Sequence, residues 1–120
     1  MKENEIQIVT LEKQKDAYQV SIEFVRNGTD PHPKSLKSLP DSFYNLGLLY
    51  LKVDRDAHAL QSFDEALRIA DEDRMSALLN SKGFTLLKLG HASRAVESLR
   101  DAVVRDPTNA EAHNNLVGLN

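Results

Sequence analysis

An all-α fold of stacked antiparallel helix pairs is what this sequence predicts, and three observations carry the prediction. One pattern is written twice: Phe43-x-x-Leu46-Gly47-x-x-Tyr50 with Ala59-x-x-x-Phe63-x-x-Ala66, then Leu79-x-x-Lys82-Gly83-x-x-Leu86 with Ala95-x-x-x-Leu99-x-x-Ala102. Each position recurs 36 residues later, as from Phe43 to Leu79, and a third start stands at His113-x-x-Leu116-Val117. A period of about 20 to 50 residues marks a stacked repeat architecture. The second observation is size: glycine and alanine fall where two helices must cross closely, and Phe43, Tyr50, Phe63, Leu79, Leu86 and Leu99 fill the gaps between. The third is that the breakers between helical stretches are short, so neighbouring helices run antiparallel.

Taken in order, residues 3–26 support two readings. Ile6, Ile8, Leu11 and then Tyr18, Val20, Ile22, Phe24 alternate with polar residues, as in a hairpin turning near residues 13–16. Ile8, Leu11, Lys15, Tyr18, Ile22 and Val25 also lie three or four apart, and Asn27-Gly28 is a good helix stop. Helix is favoured, with the β-hairpin as the alternative. Residues 27–39 form a linker: Pro31 and Pro33 disfavour helix in the residues before them. Asn27-Gly28-Thr29 matches a glycosylation acceptor, which is coincidence in a chain whose Met1-Lys2-Glu3-Asn4 opens no signal peptide.

From Pro40 the period becomes helical, and proline suits a first turn because its missing N–H has no intrahelical partner there. The first pair is predicted over 40–52 and 56–70, broken at Val53-Asp54-Arg55. The second is predicted over 74–89 and 92–105, with Gly90 ending its first helix in the left-handed conformation. Asp106-Pro107-Thr108-Asn109 ends that pair, and a further helix begins near Ala110. The expected division is an amphipathic segment and linker over 1–39, and a repeat domain over 40–120 made of 40–75, 76–109 and a partial 110–120.

At these residues the chain resembles the tetratricopeptide repeat family, over about residues 40–120. The resemblance implies a right-handed superhelix of about two and a half repeats. The first unit has Phe43 where the family prefers tryptophan; the second has leucines at the aromatic positions, Lys82 at an apolar one, and Pro107 at its end. The first unit lacks that proline and has two extra residues around 71–74, predicting a longer second helix or a looser turn. The third start has Val117 where glycine is usual.

In that family the first helix of each pair lines a concave groove that holds a peptide. Projected onto this sequence, the groove-facing positions are Asp41, Tyr44, Leu48, Leu51 and Lys52, then Ala77, Asn80, Phe84, Leu87 and Lys88, then Glu111 and Asn114. Of these, Tyr44, Leu48, Leu51, Lys52, Asn80, Phe84, Leu87 and Lys88 are the candidate partner-binding residues. Members that grip chaperone C-terminal carboxylates do so with lysine, asparagine and arginine. This chain has Tyr44, Leu48, Ala77 and Ser81 at the corresponding positions, so that clamp is absent. The alternative is that Leu48, Leu51, Phe84 and Leu87 are core, covered by the N-terminal segment.

Composition narrows the classes. The chain has 120 residues, 41% hydrophobic, with a formal net charge of −3. That is one domain with an adequate core, and the 15 basic residues are scattered, against a nucleic-acid surface. Cysteine is absent, excluding disulfides and thiolate chemistry and suiting a cytoplasmic setting. No apolar run approaches the roughly 20 residues that cross a bilayer. His32, His58, His91 and His113 make no pair at zinc-site spacing; His113 stands at a packing position and is expected half-buried. Asp54-Arg55-Asp56 lacks the glycine and closing glutamate of a calcium loop. Ser35, Ser38 and Ser42 have no base nearby in sequence. No metal, cofactor or catalytic constellation is expected. The function predicted is a protein–protein interaction module, with self-association or a longer array as the alternative and a regulatory domain of a larger enzyme as the weaker third.

Overall fold

The computed structural model describes residues 39–119 and, before them, residues 3, 5–10, 12, 13 and 16. Within residues 39–119 five helices follow one another: α1 (Leu39–Lys52), α2 (Asp56–Ile69), α3 (Glu72–Lys88), α4 (Ala92–Arg105) and α5 (Ala110–Val117). No strand occurs among the described residues. α1 packs along α2 and α3 along α4, α2 joins the two pairs, and α5 lies against α4 and α3. The first helices of successive units, α1, α3 and α5, therefore form one row.

Close approach within each pair rests on glycine. A Cβ on Gly47 would stand 2.5 Å from Cε1 of Phe63, and one on Gly83 would stand 2.6 Å from Cγ of Leu99. Ala59, Ala66, Ala95 and Ala102 are fully buried on the opposing helices, and Phe43, Leu46, Phe63 and Leu86 fill the space between. Overpacking such a crossing costs about 1–3 kcal/mol, which is why the small residues recur with the period.

The turns repeat as well. Gly90, at φ 86°, follows α3. His91 N–H bonds the Leu86 carbonyl at 2.8 Å and Gly90 N–H bonds that of Leu87 at 3.1 Å, the paired bonds of a Schellman ending. One period earlier Arg55 N–H bonds Tyr50 at 2.9 Å and Asp54 N–H bonds Leu51 at 3.2 Å.

Two expectations are corrected. The extra residues near 71–74 lengthen neither α2, which stops at Ile69, nor the turn; they extend the start of α3 to Glu72. Acidic Glu72 and Asp73 suit a helix N-terminus, where the backbone dipole is positive. Arg105 Nη1 donates to both Glu72 oxygens, at 2.9 and 2.7 Å, holding that turn in place. His113 is exposed rather than half-buried, its Nε2 donating to the Pro107 carbonyl at 2.8 Å.

Before the repeats, residues 5–10 are helical, as are 12, 13 and 16, the favoured of the two sequence readings. Residues 17–26, the second half of the alternative hairpin, lie outside the described residues. Ile8 is buried in the core formed by Phe43, Leu46, Tyr50 and Phe63. The Tyr50 hydroxyl donates to the Glu12 carboxylate. Burial first, then this bond, raises the Tyr50 phenol above its ordinary range.

Candidate functional site

The row of first helices bounds a groove of about 430 Å³. Its α1 wall is apolar: Tyr44, Leu48 and Leu51. These sit three or four residues apart on the face of α1 away from Phe43, Leu46 and Tyr50, which point into the core. The floor is α3, contributing Asn80, Ser81 and Phe84. Phe84 is 43% exposed, an unusual position for a large aromatic ring. The far wall is α5, with Glu111, Asn114 and Asn115.

Side-chain hydrogen bonds fix the far half. Asn115 Nδ2 donates to Asn80 Oδ1 at 2.8 Å, and Asn80 Nδ2 donates to Glu111 Oε2 at 3.4 Å. Asn80 is 6% exposed, so both ends of its amide are spent inside the protein. The seat of α5 is set nearby. Asn109 caps the helix by accepting the Ala112 N–H at 3.1 Å, and its Nδ2 donates to Ser76 Oγ at 2.9 Å. Ser76 in turn donates to the Ala102 carbonyl at 2.7 Å, linking α3, α4 and α5. Buried hydroxyls and amides need such partners, and here each is satisfied by the neighbouring helix.

Of the sequence-predicted residues, the groove brings together Tyr44, Leu48, Leu51, Asn80 and Phe84. Lys52, Leu87 and Lys88 do not line it. Lys88 Nζ pairs with Asp56 at 3.0 Å and Asp54 at 3.5 Å instead, and these carboxylates raise its pKa. Ser81, named only as a clamp position, and Asn115, not singled out at all, also line the groove. Their signal was the period itself: Asn115 lies 35 residues after Asn80, so α5 repeats the α3 position almost in register. The described N-terminal residues do not cover the groove; Glu5, Ile8, Val9 and Glu12 flank Val53 and Arg55 at the α1–α2 turn.

Residues 40–73, spanning α1, α2 and the start of α3, match the family model of the tetratricopeptide repeat. Over these residues the chain carries a tetratricopeptide repeat. Tetratricopeptide repeats are typically non-catalytic interaction modules, so the match supports a protein partner. No curated protein matches the chain. No group of three or more histidine, cysteine or acidic side chains placed to hold a metal occurs among the described residues. No described helix is long and apolar enough to cross a membrane.

Proposed function

We propose that this protein is a non-enzymatic interaction module that holds a segment of a partner protein along its α1–α3–α5 face. The observation that carries the reading is Phe84, a large ring 43% exposed in a groove with Leu48 and Leu51 opposite. Ring and leucines offer apolar area to a ligand, and burying it contributes about 25 cal/mol per Å². Tyr44, Leu48, Leu51 and Phe84 make the contacts, Asn80 holds α5 in register, and Leu87 with Lys52 and Lys88 stands at the margin. The groove is not a chaperone carboxylate clamp, a reading supported by a lining without lysine or arginine among the described residues. The repeat domain spans 40–120, with 1–39 as a separate N-terminal segment, and the cysteine-free chain suits the cytoplasm. Nucleic acid and membrane are not its partners.

The test is affinity capture with the wild type beside a Leu48→Glu, Phe84→Glu double variant whose melt shows it folded. Partners retained by the first and lost by the second support the groove; identical recovery from both rejects it. A second reading, self-association, is favoured by Val104 and Val117, exposed to 76% and 71% near the α4–α5 end. Light scattering over a range of concentrations decides it, since a mass that stays monomeric throughout removes that reading.

A further inference from the structure

Resting on the reading of the groove as a binding site, we infer that its occupant is a segment carrying large apolar side chains beside basic ones, with the basic side chains meeting Glu111. The groove is two-sided. Its α1 wall and Phe84 are apolar, whereas α5 supplies amides and one carboxylate, Glu111, the single charged group in the lining among the described residues.

Three cations of the α3 helix are committed elsewhere, and Lys52 stands at the margin outside the lining. Arg74 is forked between Asp41, at 2.8 Å, and Asp71, at 2.7 Å. Lys88 is held by Asp56, and Lys82 by Asp64 at 2.8 Å. An incoming carboxylate would lose water and meet Glu111 with no cation in the lining among the described residues to compensate it. An incoming lysine or arginine meets an acceptor whose one internal bond among the described residues, from Asn80, is long at 3.4 Å, a carboxylate with about four lone-pair sites. Asn80 spends one N–H on Glu111 and one oxygen lone pair on Asn115, so the recognition it offers is chiefly indirect: it holds the acid in place.

The test uses short fluorescent peptides sharing leucine and phenylalanine anchors and flanked by lysine, glutamine or glutamate, titrated against the whole chain by anisotropy. Lysine peptides bind tightest and glutamate peptides weakest, by about threefold per charge step, with the spread shrinking in high salt. Glu111→Gln closes the spread, and Phe84→Ala weakens all three peptides alike. Equal binding of the three, or a spread that survives Glu111→Gln, overturns the basic preference while leaving the groove reading intact if Phe84→Ala still weakens them. No binding, or binding indifferent to Phe84→Ala, overturns the groove reading and this inference together.

Discussion

Positions 54 and 90 occupy the same place in successive repeats, and only one is glycine. Asp54 adopts φ 60° and Gly90 φ 86°, a left-handed conformation that costs an ordinary L-residue about 1–2 kcal/mol and glycine almost nothing. The Asp54 carboxylate has little to offset that strain: its side chain is 88% exposed and 3.5 Å from Lys88, which keeps Asp56 regardless. Asp54→Gly is therefore expected to stabilise by about 0.5–1 kcal/mol, read as a higher urea midpoint; a lower one means the ion pair dominates. Gly47 presents the opposite case. Alanine there gains about 1 kcal/mol of helix propensity. Its Cβ, however, would sit 2.5–2.8 Å from three atoms of the fully buried Phe63 ring, and overpacking of that kind costs about 1–3 kcal/mol. Gly47→Ala should lower the midpoint, and Phe63→Leu should cost less in that background than alone, a coupling that a double-mutant cycle measures. A midpoint raised by Gly47→Ala would show that the ring yields.

Between elements, the units are tied by charge as well as by packing. Arg74 on α3 donates to both oxygens of Asp41 at the start of α1, at 2.8 and 3.2 Å, and this bonding holds the Asp41 carboxyl below its ordinary value. Asp106 is lowered too, by the Thr108 hydroxyl and N–H. A carboxyl depressed in the folded state contributes stability above the unfolded value, and that stability is lost as the pH falls through the folded one. Urea midpoints should thus be level near neutrality and drop below about pH 4. Asp41→Asn should flatten that fall, by a fraction of a kcal/mol because the pair is solvent-screened; an unchanged acid limb would show the bond to be idle. Helix limits and crossings were legible from Gly47, Gly83 and the alanines, because steric demand acts through residue size at a fixed period. The placement of the extra residues near 71–74 was not legible, since it depends on Arg105 reaching Glu72 from another helix. Nor was the locked state of Asn80, which needs Asn115 brought within 2.8 Å by the seat of α5. Helical spacing puts Tyr44, Leu48 and Leu51 on one face of α1, but joining Phe84 of α3 to them rested on the resemblance to the tetratricopeptide repeat family.

Across the whole molecule, stability should be unevenly distributed. In a stacked array each unit contacts only its neighbours, so an element's protection follows the number of faces it has covered. α3 is covered by α4 and α2 and touched by α1 and α5, whereas among the described residues α5 rests mainly on α4 and α3. α5 is also the shortest of the five helices at 8 residues, and Ala112 is its one fully buried residue. Its hold depends on polar contacts, the Asn109 cap and the Asn115–Asn80 bond, each worth about 1 kcal/mol. Native-state hydrogen exchange should therefore show the slowest amides in α3 and faster ones in α5, opening without global unfolding. Since α5 supplies Glu111 and one wall of the groove, a ligand that seats there should slow α5 more than α2. Amides of α5 as slow as those of α3 in the free protein would mean that the array unfolds as a single cooperative unit, and that the groove is rigid before anything binds it.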